Sequence, residues 1–118
     1  MSLAELLRWQ WSGYPRYHRA RANLLIHIVA VPLFLTGNLG LVAALLERSV
    51  ALAVIALGAM LVSVALQGRG HAREENPAEP FTSRANAVSR ILLEQWVSFP
   101  RFVISGGWLG ALRKAVPP

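Results

Sequence analysis

At 118 residues the chain has room for one domain. It is 54% hydrophobic and only 15% charged, with a mean hydropathy of +0.42. That is more apolar surface than a 12.9 kDa globule can hide, which excludes intrinsic disorder and argues against a soluble monomer. With no cysteine, the chain excludes disulfide frameworks, thiolate metal sites, iron–sulfur clusters and cysteine nucleophiles, so any metal chemistry must use His, Asp or Glu. The net charge of +6 fits nucleic acid, anionic lipid or the cytoplasmic loops of a membrane protein, and position along the chain decides among them.

In chain order, residues 1–23 read as an interfacial segment. Leu3, Leu6, Leu7 and Gln10 follow helical spacing, and Trp9, Trp11, Tyr14 and Tyr17 suit the headgroup level. Residues 24–46 and 49–66 are uncharged runs of 23 and 18 residues, each near the roughly 20 residues that span a bilayer as a helix. Only Glu47-Arg48 separates them, which makes an antiparallel hairpin whose arms start and finish on one side. Residues 1–23 carry a net +3 and the tip carries zero, so the site end and both termini read as cytoplasmic. The first run is too long and too far from the start for a signal peptide. Pro32 is expected to kink the first arm. A buried hairpin in a soluble protein is the competing arrangement.

Residues 67–84 turn polar, with Gly68, Gly70, Pro77 and Pro80, and read as a short helical extension followed by a loop. Over residues 85–112, Val88, Ile91, Leu92, Trp96, Phe99, Phe102 and Val103 recur at helical spacing, while Arg90, Glu94, Ser98 and Arg101 take the other face. This predicts an amphipathic or re-entrant helix, bent at Pro100 and too short in its last apolar part to cross a bilayer. The fold class is therefore all-α: an integral membrane hairpin with interfacial amphipathic helices at both ends.

The three histidines, His18, His27 and His71, all fall at the same end of this hairpin. Counted from the tip, His27 and His71 both lie about 30 Å away at 1.5 Å per residue, so they share a depth. Glu75 stands four residues after His71 and shares its face if the helix continues past Gly70. Asn23 stands in the same relation to His27. His18 and His27 are nine residues apart, on opposite sides of a straight helix, so the chain must bend between them for both to hold one ion. Taken singly, each residue has an ordinary reading: His27 as a hydrogen-bonded interior group, Glu75 as a solvated charge, the arginines as topology signals. The conjunction of all three histidines with a carboxylate is what points to a metal, and Fe(II) and Zn(II) both suit such ligands. No HExxH, GxSxG, Walker A or GxGxxG motif occurs.

Two gapless stretches carry a family resemblance. Tyr17-His18, Asn23, His27 and Pro32 fit the spacing Y-H-x4-N-x3-H-x4-P, and Gln67, Gly70, His71 and Glu75 fit Q-x-x-G-H-x3-E, followed by Pro77-Ala78. The chain resembles the membrane 2-hydroxy-fatty-acid dioxygenase family at both ends of its hairpin, although Pro77 follows Glu75 more closely than the family's proline does. The resemblance implies an Fe(II)-dependent enzyme of fatty-acid α-oxidation that uses O2 to shorten a long-chain 2-hydroxy fatty acid by one carbon. It implies His18, His27 and His71 as ligands and Glu75 as a fourth ligand or as an acceptor orienting an imidazole. Asn23 and Gln67 are candidates for that surrounding layer, and Arg21 or Arg73 for holding the substrate carboxylate. Three other classes stand beside this reading: a zinc-dependent membrane lipid hydrolase, a membrane scaffold without metal, and a nucleic-acid binder. The basic residues flank apolar segments and form no stripe, so a nucleic-acid partner is not expected. Eleven Arg to one Lys lean toward a bacterial inner membrane, and the small inner surface of a two-helix hairpin toward a homodimer.

Overall fold

The computed structural model describes residues 1–115. Among them there is no strand, and the chain is all-α, with two long helices forming the hairpin. Helix α1 (Leu3–Gly13) starts on a Ser2 cap and passes into a 3-10 turn (Tyr14–Tyr17). Helix α2 (Arg21–Glu47) runs unbroken through Pro32, and α3 (Val50–His71) returns beside it. Both are long and apolar enough to cross a membrane. Leu45, Leu46, Val50, Ile55 and Leu61 are exposed on their outer faces, an apolar surface that associates with lipid.

The tip closes with backbone hydrogen bonds. Arg48 is left-handed, at φ 53° and ψ 39°, and the Ser49 N–H donates to the Ala44 carbonyl at 2.9 Å, while the Ser49 hydroxyl caps α3. A left-handed residue with a Cβ is strained by roughly 1–2 kcal/mol, which glycine relieves. Arg48→Gly is therefore expected to stabilise the hairpin by about 1 kcal/mol. Thermal unfolding in detergent micelles checks this, with an unchanged or lower midpoint as the opposing result.

A heptad of small or compact residues sets the register of the arms. Asn23, Ala30, Gly37 and Ala44 are buried at seven-residue intervals on α2, as are Ala56, Ser63 and Gly70 on α3. A seven-residue repeat keeps one seam facing its partner along two antiparallel helices, and small side chains let the backbones approach. A Cβ on Gly37 would lie 2.9 Å from the Ala56 carbonyl, Ser63 Oγ donates to the Ala30 carbonyl, and Gly70 meets Asn23. This register brings the start of α2 against the end of α3, where His27 and His71 stand.

The remaining chain covers that end. After a loop, α4 (Arg84–Leu93), a π-helical turn (Glu94–Ser98) and α5 (Phe99–Ile104) run as one broken helix, followed by α6 (Gly107–Lys114). Pro100 has no N–H to give, and the wider turn just before it absorbs the mismatch, with the Phe99 N–H reaching back five residues to Glu94. The amphipathic helix is present, and burial does not follow its two faces throughout. Val88, Leu92 and Trp96 are exposed while Phe99 and Phe102 are buried; on the polar face Ser98 is buried and Glu94 turns inward while Arg101 is exposed. Next to lipid an outward apolar side chain sits in its own medium, which leaves the interior open to Glu94, Gln95 and Ser98.

Candidate metal centre

Each histidine is aimed by its own stretch of backbone. His18 follows the 3-10 turn, and its Nδ1 lies 2.8 Å from the Tyr14 carbonyl; the non-helical residues 18–20 supply the bend that the nine-residue spacing demands. His27, in the second turn of α2, has Nδ1 3.0 Å from the Asn23 carbonyl. A carbonyl only accepts, so each Nδ1 carries the proton and donates it, which leaves each Nε2 as a bare lone pair in the neutral ring. His71 ends α3. Ring centroids are 5.0 Å apart for His18 and His27, and 4.9 Å from each of these to His71.

The carboxylate at the centre of this trio belongs to Glu94. Its Oε2 lies 3.3 Å from His18 Nε2 and 3.5 Å from His27 Nε2. It also accepts a hydrogen bond from Tyr14 Oη at 2.9 Å, and the Tyr14 ring stacks on His18 at 3.8 Å. Burial raises the Glu94 carboxyl, and only protonated imidazoles at His18 and His27, donating to it from Nε2, would outweigh that and bring it below the usual carboxylate range. The Tyr14 phenol is pushed up by burial and by the Glu94 charge, so it stays a donor.

One ligand atom from each of His18, His27, His71 and Glu94 falls within 4.8 Å of the others. His18 Nε2, His27 Nε2 and His71 Nδ1 are buried with no hydrogen-bond partner. Lone pairs facing a carboxylate repel it unless a cation stands between them, and charging several packed imidazoles in a buried place is costly. A single divalent ion satisfies all four groups, since bonds of about 2.0–2.1 Å to nitrogen separate neighbouring ligands by distances of this order. The set fits a metal.

The other residues singled out in the sequence fall outside the cluster. Helix α3 stops at His71, so Glu75 leaves the face it was expected to share and is exposed. The adjacent Glu74 turns back instead, accepting from the backbone N–H groups of Arg19 and Ala20 and from Asn23 Nδ2 at 2.8 Å, which pins the His18 segment to the end of α3. Asn23 thus aims His27 through its carbonyl and ties down Glu74 through its amide. Gln67 reaches no histidine. It exchanges two 2.8 Å hydrogen bonds with Gln95 and one with Ser63, fastening the π-helical turn behind Glu94 to α3. Arg21 and Arg73 are exposed and line no part of the cavity beside the cluster.

That cavity, of about 510 Å³, has His71, Glu94 and Tyr14 in its wall, with Trp9, Val64 and Arg90 further round. Its volume falls in the range of small-ligand sites. The centre is therefore open on one side to a ligand-sized space. No protein-family model, curated protein or solved structure matches the chain.

Proposed function

We propose that this protein is a membrane-embedded non-haem Fe(II) dioxygenase that cleaves long-chain 2-hydroxy fatty acids to products one carbon shorter. The observation that carries the reading is the convergence of three partnerless imidazole nitrogens and the Glu94 carboxylate at the wall of a cavity. Three nitrogens and one carboxylate oxygen suit Fe(II) and leave further positions for a substrate. The resemblance of the segments around His18, His27 and His71 to the 2-hydroxy-fatty-acid dioxygenase family supplies the substrate class. Charge asymmetry across the hairpin supports a cytoplasmic site in a bacterial inner membrane.

His18, His27, His71 and Glu94 would hold the iron, which when bound supplies the activation of O2. The chain's own groups do the rest. The Tyr14 and Asn23 carbonyls fix the tautomers of His18 and His27, and the Tyr14 hydroxyl holds Glu94 Oε2 in place. Phe99 and Phe102, buried beside the rings, keep water from that side. The reaction balances without an outside reductant: one 2-hydroxy acid and one O2 give the acid one carbon shorter, CO2 and water.

The test is turnover of 2-hydroxypalmitate by detergent-purified protein loaded anaerobically with Fe(II), then exposed to O2. Wild type is expected to consume O2 and release pentadecanoate, and His71→Ala to lose at least about 100-fold of that rate, the loss of a ligand exceeding that for an outer-layer partner. Oxygen-independent turnover with a preference for Zn(II) would transfer the site to a hydrolase. Wild-type shortening by His71→Ala would remove the cluster from the reaction.

A further inference from the structure

The cavity beside the cluster holds a cation that, among the described residues, forms no ion pair, although the Glu94 and Glu79 carboxylates act on its charge from further off. Arg90 is half-buried, and its guanidinium carbon lies 4.5 Å from the Phe81 ring centroid and 5.0 Å from that of Trp9. Among the described residues its hydrogen bonds go only to neutral acceptors: the Glu79 carbonyl at 2.9 Å, the Pro80 carbonyl at 3.1 Å and Asn86 Oδ1 at 3.5 Å. These leave the Nε–H and part of the terminal N–H set free. Glu94, four residues on, is the obvious helical partner, yet it is turned to the histidines. The two residues stand one turn apart and both line the cavity, with the Glu94 carboxylate at the cluster; Arg90 also lines the neighbouring groove with Glu79 and Pro80.

Helix α3 supplies another part of the wall. Val64 and Gly68 lie one turn apart on α3, on one face and leading away from His71. An added Cβ at Gly68 would meet no atom within 4 Å, so the missing side chain leaves open space beside the apolar Val64. A cation at one end and an apolar strip at the other describe an amphiphile with one charged head and one tail.

We propose that Arg90 receives the carboxylate of a single-chain fatty acid, with the acyl chain lying along Gly68 and Val64. This rests on the dioxygenase reading for the identity of the acid. It replaces Arg21 and Arg73, which sit outside the cavity, with a residue that sets the head group one helical turn from Glu94. Trp9 and Phe81 hold the guanidinium plane in place, and its desolvated side strengthens a charge-assisted bond to a carboxylate. The other arginine lining the cavity, Arg16, is exposed and stands over a single ring, Tyr17, at 5.7 Å.

Binding to metal-stripped full-length protein in nanodiscs tests this apart from turnover, using 2-hydroxypalmitate and its uncharged methyl ester and reading tryptophan fluorescence. Wild type is expected to prefer the acid by about tenfold to a hundredfold, the effect of a hydrogen-bonded charge. Arg90→Gln is expected to erase that preference by weakening the acid alone, Arg90→Lys to restore part of it, and Arg16→Gln to leave it intact. Equal binding of acid and ester by wild type, or loss of the preference in Arg16→Gln, overturns the proposal whether or not the Arg90 variants fold. So does a folded Arg90→Gln that keeps the wild-type ratio. If the acid binds through Arg90 and iron-loaded protein still consumes no O2, the dioxygenase reading fails while the carboxylate site stands.

Discussion

Glu94→Gln is expected to lower the affinity of the cluster for a divalent metal by at least about 100-fold, and Glu75→Gln to leave it unchanged. The two glutamates separate sharply in space. Glu94 Oε2 is within 3.5 Å of two imidazole nitrogens, whereas Glu75 is exposed beyond the end of α3. Glutamine keeps the size of the side chain and an oxygen that accepts from Tyr14, so the fold loses no buried hydrogen bond. What disappears is the negative charge that offsets the metal's own and the anionic ligand atom. Competition against a chelator of known affinity, with Zn(II) or Co(II) as the probe, measures the difference. Wild-type affinity in Glu94→Gln, or a comparable loss in Glu75→Gln, would return the carboxylate role to the loop.

Much of this centre is legible in the sequence, and the part that is not has a physical reason. The hairpin follows from two uncharged runs and a two-residue joint, and its geometry forces His27 and His71 to one depth. The bend before His27 follows from a nine-residue spacing that one helix cannot satisfy, and the non-helical residues 18–20 ahead of α2 supply it. Glu94 is harder to see because it arrives from a distant helix, on the polar face it shares with Arg90, Ser98 and Arg101, and no spacing relates it to the histidines. It is the one carboxylate side chain from residue 80 onward, in a helix next to apolar segments, and that is the signal that finds it. Glu75 misleads through its four-residue step from His71, a spacing that means a shared face only while the helix lasts. The period of seven in Asn23, Ala30, Gly37 and Ala44, answered by Ala56, Ser63 and Gly70, was also open to reading. It fixes which residue of α2 meets which of α3, and the hydropathy of the two runs alone carries no such register.

That register makes Gly70 the seam position closest to the metal centre. A Cβ placed there would collide with Asn23 Oδ1, forcing that side chain to turn, and lie 3.3 Å from the Asn23 Cα, so the helix ends must also give by a few tenths of an ångström. Asn23 is fully buried, its carbonyl aims His27 and its amide holds Glu74, so the displacement enters the metal centre from two directions. His71 is the next residue along and moves with Gly70. Overpacking of this kind costs about 1–3 kcal/mol, and the loosened ligands should lower metal affinity as well. Gly58 supplies the comparison on the same helix: a methyl group added there would meet nothing within 4 Å, and alanine is the better helix former. Gly58→Ala is therefore expected to be neutral or to stabilise by up to about 1 kcal/mol. Thermal unfolding in detergent, with and without Zn(II), resolves the pair. Gly70→Ala should lower the midpoint of the metal-free protein and lose the rise in midpoint that metal gives wild type, because binding to the native state alone stabilises it by mass action. A Gly70→Ala protein that keeps both its midpoint and its response to metal would show that the close contact with Asn23 does not govern the site.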